Sequence, residues 1–277
     1  MKNILDAVKV LVTQNRISLP NSQNAHNRIN AVGQALEEYV KNLFAGSFDL
    51  PPAERLQRWS ETFSYLGNNA NPPDMMLKNG DAVEVKKIES PDAALALNSS
   101  YPKQILRRDN PMISSACRDA EDWTEKDILY VVGVVNGDTL KSLCMVYGRN
   151  YCASEDCYSR IRQRIKDGVE TIEGVEFSPT RELGRINRVD PLGITYLRVR
   201  GMWHIENPWK VFSYVYRRDF NAEFNFMCII DDEKWRQFDN REILTDLNPN
   251  LKISNVRIKN PDNPAKLNAA KLIQYEI

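Results

Sequence analysis

Residues 73–86 read Pro73-Asp74-Met75-Met76-Leu77-Lys78-Asn79-Gly80-Asp81-Ala82-Val83-Glu84-Val85-Lys86. Two apolar runs flank a Lys-Asn-Gly turn, the local signature of a β-hairpin. Its register decides which side chains share a face. A two-residue turn on Asn79-Gly80 pairs Asp74 with Val85, which sends Asp74 away from Glu84 and Lys86 and sets Met75 opposite Glu84. A three-residue loop over Lys78-Asn79-Gly80, with Gly80 left-handed, pairs Leu77 with Asp81 and Asp74 with Glu84. Only the second register separates Asp74, Glu84 and Lys86 on one face from Met75, Leu77, Val83 and Val85 on the other. The hydrophobic pattern therefore predicts a hairpin that gathers two carboxylates and an amine.

Two carboxylates side by side repel unless one takes a proton or a cation lies between them. Oxygen donors alone suit Mg²⁺ (magnesium), which keeps several waters and completes its shell with phosphate oxygens. A lysine next to such an ion can orient or deprotonate an attacking water, or neutralise developing charge. These residues point to a metal-dependent phosphodiesterase. The competing reading is a surface hairpin with solvated charges, against which the Val and Met residues around the acids weigh.

Outward from the hairpin, Ile4, Leu5, Val8, Val10 and Leu11 recur at roughly helical spacing, and a polar loop covers 15–30. Val32, Ala35, Leu36, Tyr39, Val40, Leu43 and Phe44 predict an amphipathic helix closed by Gly46. Pro51-Pro52 opens another helix, to residue 64. Residues 113–123 read as a helix. The β-branched run Ile128–Val135 predicts a strand buried on both faces, and Asn136-Gly137-Asp138 a turn into a partner strand at 140–147. Residues 154–168 are expected to be helical, with strands and loops from 171 onward. The fold class is α/β, a mixed sheet flanked by helices.

The chain of 277 residues is expected to form a single domain over 1–277, with a catalytic core of about 25–150 and recognition or accessory elements at about 151–277. Lys+Arg and Asp+Glu both number 37, so no global basic signature marks a non-specific nucleic-acid coat protein. The N-terminus does not read as a signal peptide and no apolar run is long enough to span a membrane, which predicts a cytoplasmic protein. Five irregularly spaced cysteines predict free thiols; Cys152 and Cys157 lack the second pair a zinc site needs. His26 and His204 are the two histidines, too few and too distant for a His-metal nuclease or a Ser-His-Asp hydrolase. No glycine-rich phosphate loop appears, so ATP-driven activity is not expected.

Pro73-Asp74, a nine-residue spacer and Glu84-Val85-Lys86 resemble the PD-(D/E)XK nuclease motif, and Gly33-Gln-Ala-Leu-Glu37 resembles the Gly-x-x-x-Glu helix that often precedes it. Gly33–Phe48, the stretch from Phe63 to Met76, Val83–Ser90, Ala94–Lys103 and Met145–Gly148 together resemble the NgoPII family of type II restriction endonucleases. The resemblance runs over most of the chain, firmest in 25–150 and weaker beyond 215. It implies a PD-(D/E)XK core and Mg²⁺-dependent cleavage of double-stranded DNA at a short palindrome, with GGCC the expected site. It also implies a homodimer with one site per strand and a cognate DNA methyltransferase as genetic partner. Asp74 and Glu84 would be the metal ligands and Lys86 the catalytic lysine. Glu37 would be a further acid reaching the metal through water, with Glu38 beside it as the alternative.

A sequence-specific nuclease needs phosphate contacts to set register and base-edge contacts to specify. Asn98, Ser99, Ser100 and Lys103 follow the catalytic strand and are candidates for the backbone beside the scissile phosphate; a helix N-cap is the other reading of that segment. Arg107, with Arg108, is a candidate phosphate ligand. Arg181, Arg185, Asn187 and Arg188, then Arg198 and Arg200 on one face of a period-2 pattern, are candidates for major-groove readout of guanine-rich sites; a solvated charged face is the plainer reading. Two other functions fit the same motif: a repair or structure-selective nuclease, and a DNA-binding module without catalysis. Intact acids facing phosphate weigh against the last.

Overall fold

Asn3 opens helix α1 (Ile4–Gln14): its side chain accepts the Leu5 N–H at 2.8 Å, and the Asp6 carboxylate takes the Asn3 N–H at 3.0 Å. A reciprocal cap of this kind is worth about 1 kcal/mol. Helix α2 (Arg28–Ala45) follows the predicted apolar spacing and ends before Gly46, at φ 63°. Helix α3 (Pro52–Thr62) begins with proline in its first turn. The structure, a computed structural model, describes residues 2–19, 28–68 and 71–277. Residues 20–27 of the polar loop expected at 15–30 lie outside the described residues, and α2 takes in its last positions.

Strands β1 (Phe63–Asn68), β2 (Asn71–Leu77) and β3 (Ala82–Ile88) form an antiparallel meander. Short β4 (Leu95–Asn98), β5 (Ile105–Arg107) and a single helical turn, α4 (Ser115–Arg118), lead to the long strands β6 (Glu125–Asn136) and β7 (Thr139–Tyr147). Helices α5 (Gly148–Tyr151) and α6 (Glu155–Val169) precede four short strands: β8 (Glu176–Phe177), β9 (Gly184–Asn187), β10 (Leu197–Val199) and β11 (Trp203–Ile205). Then come α7 (Pro208–Val211), β12 (Asn225–Asp231), α8 (Asp232–Gln237), β13 (Leu251–Lys259) and β14 (Leu267–Glu276).

The main sheet runs β1-β2-β3-β6-β7-β12-β14-β13, with β5 also on β6. Its β3–β6 and β7–β12 pairs are parallel and the others antiparallel. Smaller sheets join β10-β9-β8 and β11-β4. Period-2 alternation splits the core into two layers. Met75, Leu77, Val83, Val85, Leu129 and Val131 meet Leu5, Val8, Leu36, Tyr39 and Leu43 of α1 and α2. Met76, Ala82, Ile128, Tyr130 and Val132 meet Leu95, Trp209 and Phe212 on the other side. The fold is α/β, a mixed sheet flanked by helices, and β6 is buried on both faces from Ile128 to Val135 as its composition predicts.

Two expectations differ. The helix expected at 113–123 shrinks to Ser115–Arg118. Glu121 is drawn off the helical path, because its carboxylate takes the Asn79 N–H at 2.9 Å and pairs with Lys126, while Trp123 bonds the Cys117 carbonyl. In the hairpin, the left-handed residue is Asn79 at φ 54°, not Gly80; a short polar side chain tolerates that region, so the register does not need glycine there. All five cysteines are free thiols. Among the described residues no helix is long and apolar enough to cross a membrane.

Candidate active site

The hairpin adopts the three-residue loop. Leu77 donates its N–H to the Asp81 carbonyl at 3.0 Å, and Met75 pairs with Val83. Asp74, Glu84 and Lys86 accordingly stand apart from Val83 and Val85, which enter the layer under α1 and α2. The Asp74 carboxylate accepts the Val85 N–H at 2.6 Å, which ties β2 to β3 at the site. Lys86 Nζ lies 2.6 Å from Glu84 Oε1.

Burial and the neighbouring Glu84 charge push the Asp74 carboxyl well above the usual carboxylate range, with Lys86 and the Val85 N–H pulling the other way. Burial works against the Lys86 ammonium, but Glu84, Asp74 and Glu37 together outweigh it and hold its pKa above the ordinary lysine value. Glu37 also rises, first from burial; Lys41 and Lys86 oppose this and Glu84 adds to it. The field of the cluster therefore reaches Glu37 from α2, whereas Glu38 is taken by an ion pair with Arg55 at 2.8 Å.

A cavity of about 490 Å³ opens over these groups. Asp74, Glu84 and Lys86 line it together with Asn98, Ser99, Ser100, Arg181, Glu182 and Arg200. Residues separated by more than a hundred positions are thus brought to one opening. Asn98 ends β4 at φ 51°, and Ser100 closes a turn onto the Leu97 carbonyl at 3.2 Å. No helix begins there, so the N-cap reading does not hold. A larger cavity of about 710 Å³ surrounds the hairpin loop, lined by Asp81, Glu121, Lys126 and Lys234. Lys126 already pairs with Glu121 there, and Lys234 with Asp81 and Asp127, whereas the smaller cavity holds the predicted triplet.

Other candidates sit elsewhere. Lys103 is 7% exposed, its ammonium held by Ser100 Oγ and the Tyr101 carbonyl, and its N–H donates to Tyr130 at 2.9 Å. Burial brings its pKa down to about 8. It supports the 98–101 turn from beneath and does not present a surface cation. Arg107 lines a separate cavity of about 390 Å³ beside Glu155 and Asp156. Arg198 and Arg200 converge on one carboxylate: Arg198 makes two bonds to Glu182, at 3.0 and 2.7 Å, and Arg200 Nε lies 2.6 Å from it. Arg185 lies over the Tyr196 ring, Asn187 bonds Ser178, and Arg188 pairs with Glu176 at 3.1 Å.

Sequence reasoning passed over two residues here. Glu182 gathers both arginines through a long-range contact that leaves no local trace. Gly67 sits in a bulge of β1 where a Cβ would come within 2.4 Å of the Pro73 carbonyl and 2.9 Å of the Asp74 carbonyl. A glycine inside a strand pattern is the signal that marks such an approach.

Of the three carboxylates that line this cavity, Glu182 is engaged by Arg198 and Arg200, which leaves Asp74 and Glu84 as those able to hold a cation. Among the described residues no three His, Cys, Asp or Glu side chains gather as a metal-holding group. The family model of the NgoPII restriction endonuclease matches residues 2–259. The type II restriction enzyme NgoPII of Neisseria gonorrhoeae is 55% identical over 277 residues, covering 99% of this chain and all of that one. No solved structure gives a match. With its family model spanning nearly the whole chain and a full-length relative at that identity, the chain belongs to the NgoPII restriction endonuclease family.

Proposed function

We propose that the chain is a type II restriction endonuclease of PD-(D/E)XK type, a single domain over 1–277 that hydrolyses double-stranded DNA at the palindrome GGCC. The products carry 5′-phosphate and 3′-hydroxyl ends. The observation that carries this reading is the hairpin register, which delivers Asp74, Glu84 and Lys86 to one cavity in a chain of a restriction-enzyme family.

The donor set suits Mg²⁺. Two carboxylates whose mutual repulsion raises the proton affinity of Asp74 form a negative pocket that a hard divalent cation relieves, and two protein oxygens leave room for the waters magnesium keeps. When bound, the ion supplies charge neutralisation at the phosphate and a more acidic water. The Val85 N–H holds Asp74 in place for it, and Glu84 is the second ligand. Lys86 stays protonated beside Glu84, so its contribution is to orient the attacking water and to stabilise the charge that builds on the phosphate oxygens. Glu37 adds an acid from α2 that acts through water.

The turn at Asn98, Ser99 and Ser100 offers donors to the phosphate next to the scissile bond, and Lys103 braces that turn. Arg181 and Arg200 bring positive charge to the rim of the cavity. Arg185, Asn187, Arg188 and Arg198 extend from it along β9 and β10 towards base edges, and Arg107 meets backbone phosphate farther off. Two copies, one per strand, cut the palindrome in a bacterial cytoplasm where a cognate methyltransferase protects the host site.

Digestion of plasmid DNA tests the reading. Discrete fragments in Mg²⁺ with ends mapping to GGCC, absent in Ca²⁺ and absent with Lys86→Ala, support it. No cleavage in any divalent metal would overturn it.

A further inference from the structure

Glu182 lines the catalytic cavity without a part in the chemistry of Asp74, Glu84 and Lys86. What it holds is Arg198, through Nε at 3.0 Å and Nη2 at 2.7 Å, and Arg200, whose Nε lies 2.6 Å away. The acid is itself held by the backbone around it. The Glu182 N–H donates to Thr180 Oγ1 at 3.1 Å and the Leu183 N–H to the Val199 carbonyl at 3.1 Å, while Arg162 of α6 bonds the Arg181 carbonyl. The Arg198 and Arg200 side chains are 53% and 57% exposed and that of Glu182 18%, so an approaching duplex meets guanidinium before carboxylate. Arg198 gives its Nε–Nη2 edge to the acid. Its outer Nη1–Nη2 edge keeps two parallel N–H groups, and Nη1 has no hydrogen-bond partner among the described residues. Such a fork matches O6 and N7 of guanine.

An arginine without such a partner follows the nearest phosphate, a contact that carries no sequence information. Glu182 opposes this in two ways. It fixes the fork before binding, so less freedom is lost when a base is met. It also cancels one of the two positive charges that phosphate would attract. The arginine pair is joined to the catalytic turn as well. Just beyond Arg200, Trp203 of β11 pairs with Asn98 of β4 and packs edge-on against Tyr101 at 6.2 Å. We propose that Glu182 is a specificity-determining positioning residue, which presents Arg198 to a guanine and keeps Arg200 on the rim of the catalytic cavity. The role rests on the palindrome-cleaving reading, and in it Glu182 acts through its two arginines and touches no phosphate.

Single-turnover cleavage and duplex binding by the full chain test this. One duplex carries the site at which the parent cuts plasmid, and the others have its G·C pairs changed to A·T one at a time. Glu182→Gln is compared with Glu173→Gln, which removes the same charge from an exposed acid between α6 and β8. Circular dichroism checks that each variant is folded. Glu182→Gln is expected to lower the ratio of cognate to altered cleavage about tenfold or more at one position at least. It should also steepen the salt dependence of altered-duplex binding in Ca²⁺ by about one unit, as a freed arginine reaches phosphate. Glu173→Gln should keep the parental ratio and slope. In an Arg198→Ala background, Glu182→Gln should change the ratio no further. A Glu182→Gln variant with the parental ratio at every position would overturn the proposal and leave the nuclease reading standing. Equal changes in Glu173→Gln, or a further drop in the Arg198→Ala background, would overturn it too. A parent that cuts all duplexes alike, or none, overturns the palindrome-cleaving reading and the proposal with it.

Discussion

Lys86 sits 2.6 Å from Glu84 and within the field of Asp74 and Glu37, so it is a cation shared by three acids. Lys86→Ala should lower cleavage by about 10²–10³-fold, the usual scale for removing one preorganised charge from a transition state. Duplex affinity, measured by gel shift in Ca²⁺, should change little. Asp74 makes a separate prediction about stability. Its folded-state pKa lies well above the ordinary 3.8. In metal-free protein this group's contribution is full below that value and is lost as pH rises through the raised folded pKa. Asp74→Asn keeps an acceptor for the Val85 N–H and abolishes the titration. Melts in chelator should therefore show a gain for the variant that grows from pH 5 to pH 8, at roughly 2–4 °C per kcal/mol. A gain that shrinks as pH rises would contradict the assignment.

At the level of elements, the site depends on how closely β1 lies against the start of β2. Gly67 leaves no room for a Cβ next to the Pro73 and Asp74 carbonyls. Gly67→Ala should push Asp74 out of line, costing about 1–3 kcal/mol of stability by overpacking. A displacement near 1 Å at a catalytic group should lower kcat by about a hundredfold. Urea unfolding and single-turnover cleavage measure the two effects separately, and retention of parental kcat would show that β1 does not set Asp74. The hairpin loop behaves differently. Asn79 is left-handed and its N–H is held by Glu121, so Asn79→Gly should be almost neutral in the same unfolding assay, whereas a β-branched residue there should be destabilising.

For the molecule as a whole, Lys234 of α8 joins distant segments. It bonds Asp81 of the hairpin at 2.6 Å and Asp127 of β6 at 2.8 Å, while Tyr147 donates to Asp81 and Arg149 to Asp127. Lys234→Met would leave two carboxylates without their shared cation, a loss of about 3 kcal/mol by analogy with broken buried pairs. Asp127 is partly buried, which alone would raise it, but Lys234 and Arg149 hold it below the usual carboxylate range. Its stabilising contribution is thus present at neutral pH and lost as pH falls through that lowered value. Denaturant unfolding should accordingly show the variant's deficit at pH 7 narrowing in acid.

The register of residues 73–86 could be settled locally, because side chains alternate strictly along a strand and one pairing alone sorts apolar from charged. The buried strand at 128–135 and the helix after Gly33 followed from the same short-range periodicity. The aborted helix at 113–123 could not be foreseen, since Glu121 answers to Asn79 and Lys126 across the fold. Nor could the ion pair of Glu38 with Arg55, the burial of Lys103 beneath the 98–101 turn, or the gathering of Arg198 and Arg200 on Glu182. What the sequence determined by itself was the hairpin register that groups Asp74, Glu84 and Lys86, because period and turn chemistry act between near neighbours. Only the tertiary structure decided which distant side chains close the cavity over that triplet, because such contacts depend on how strands far apart in the chain come to lie in one sheet.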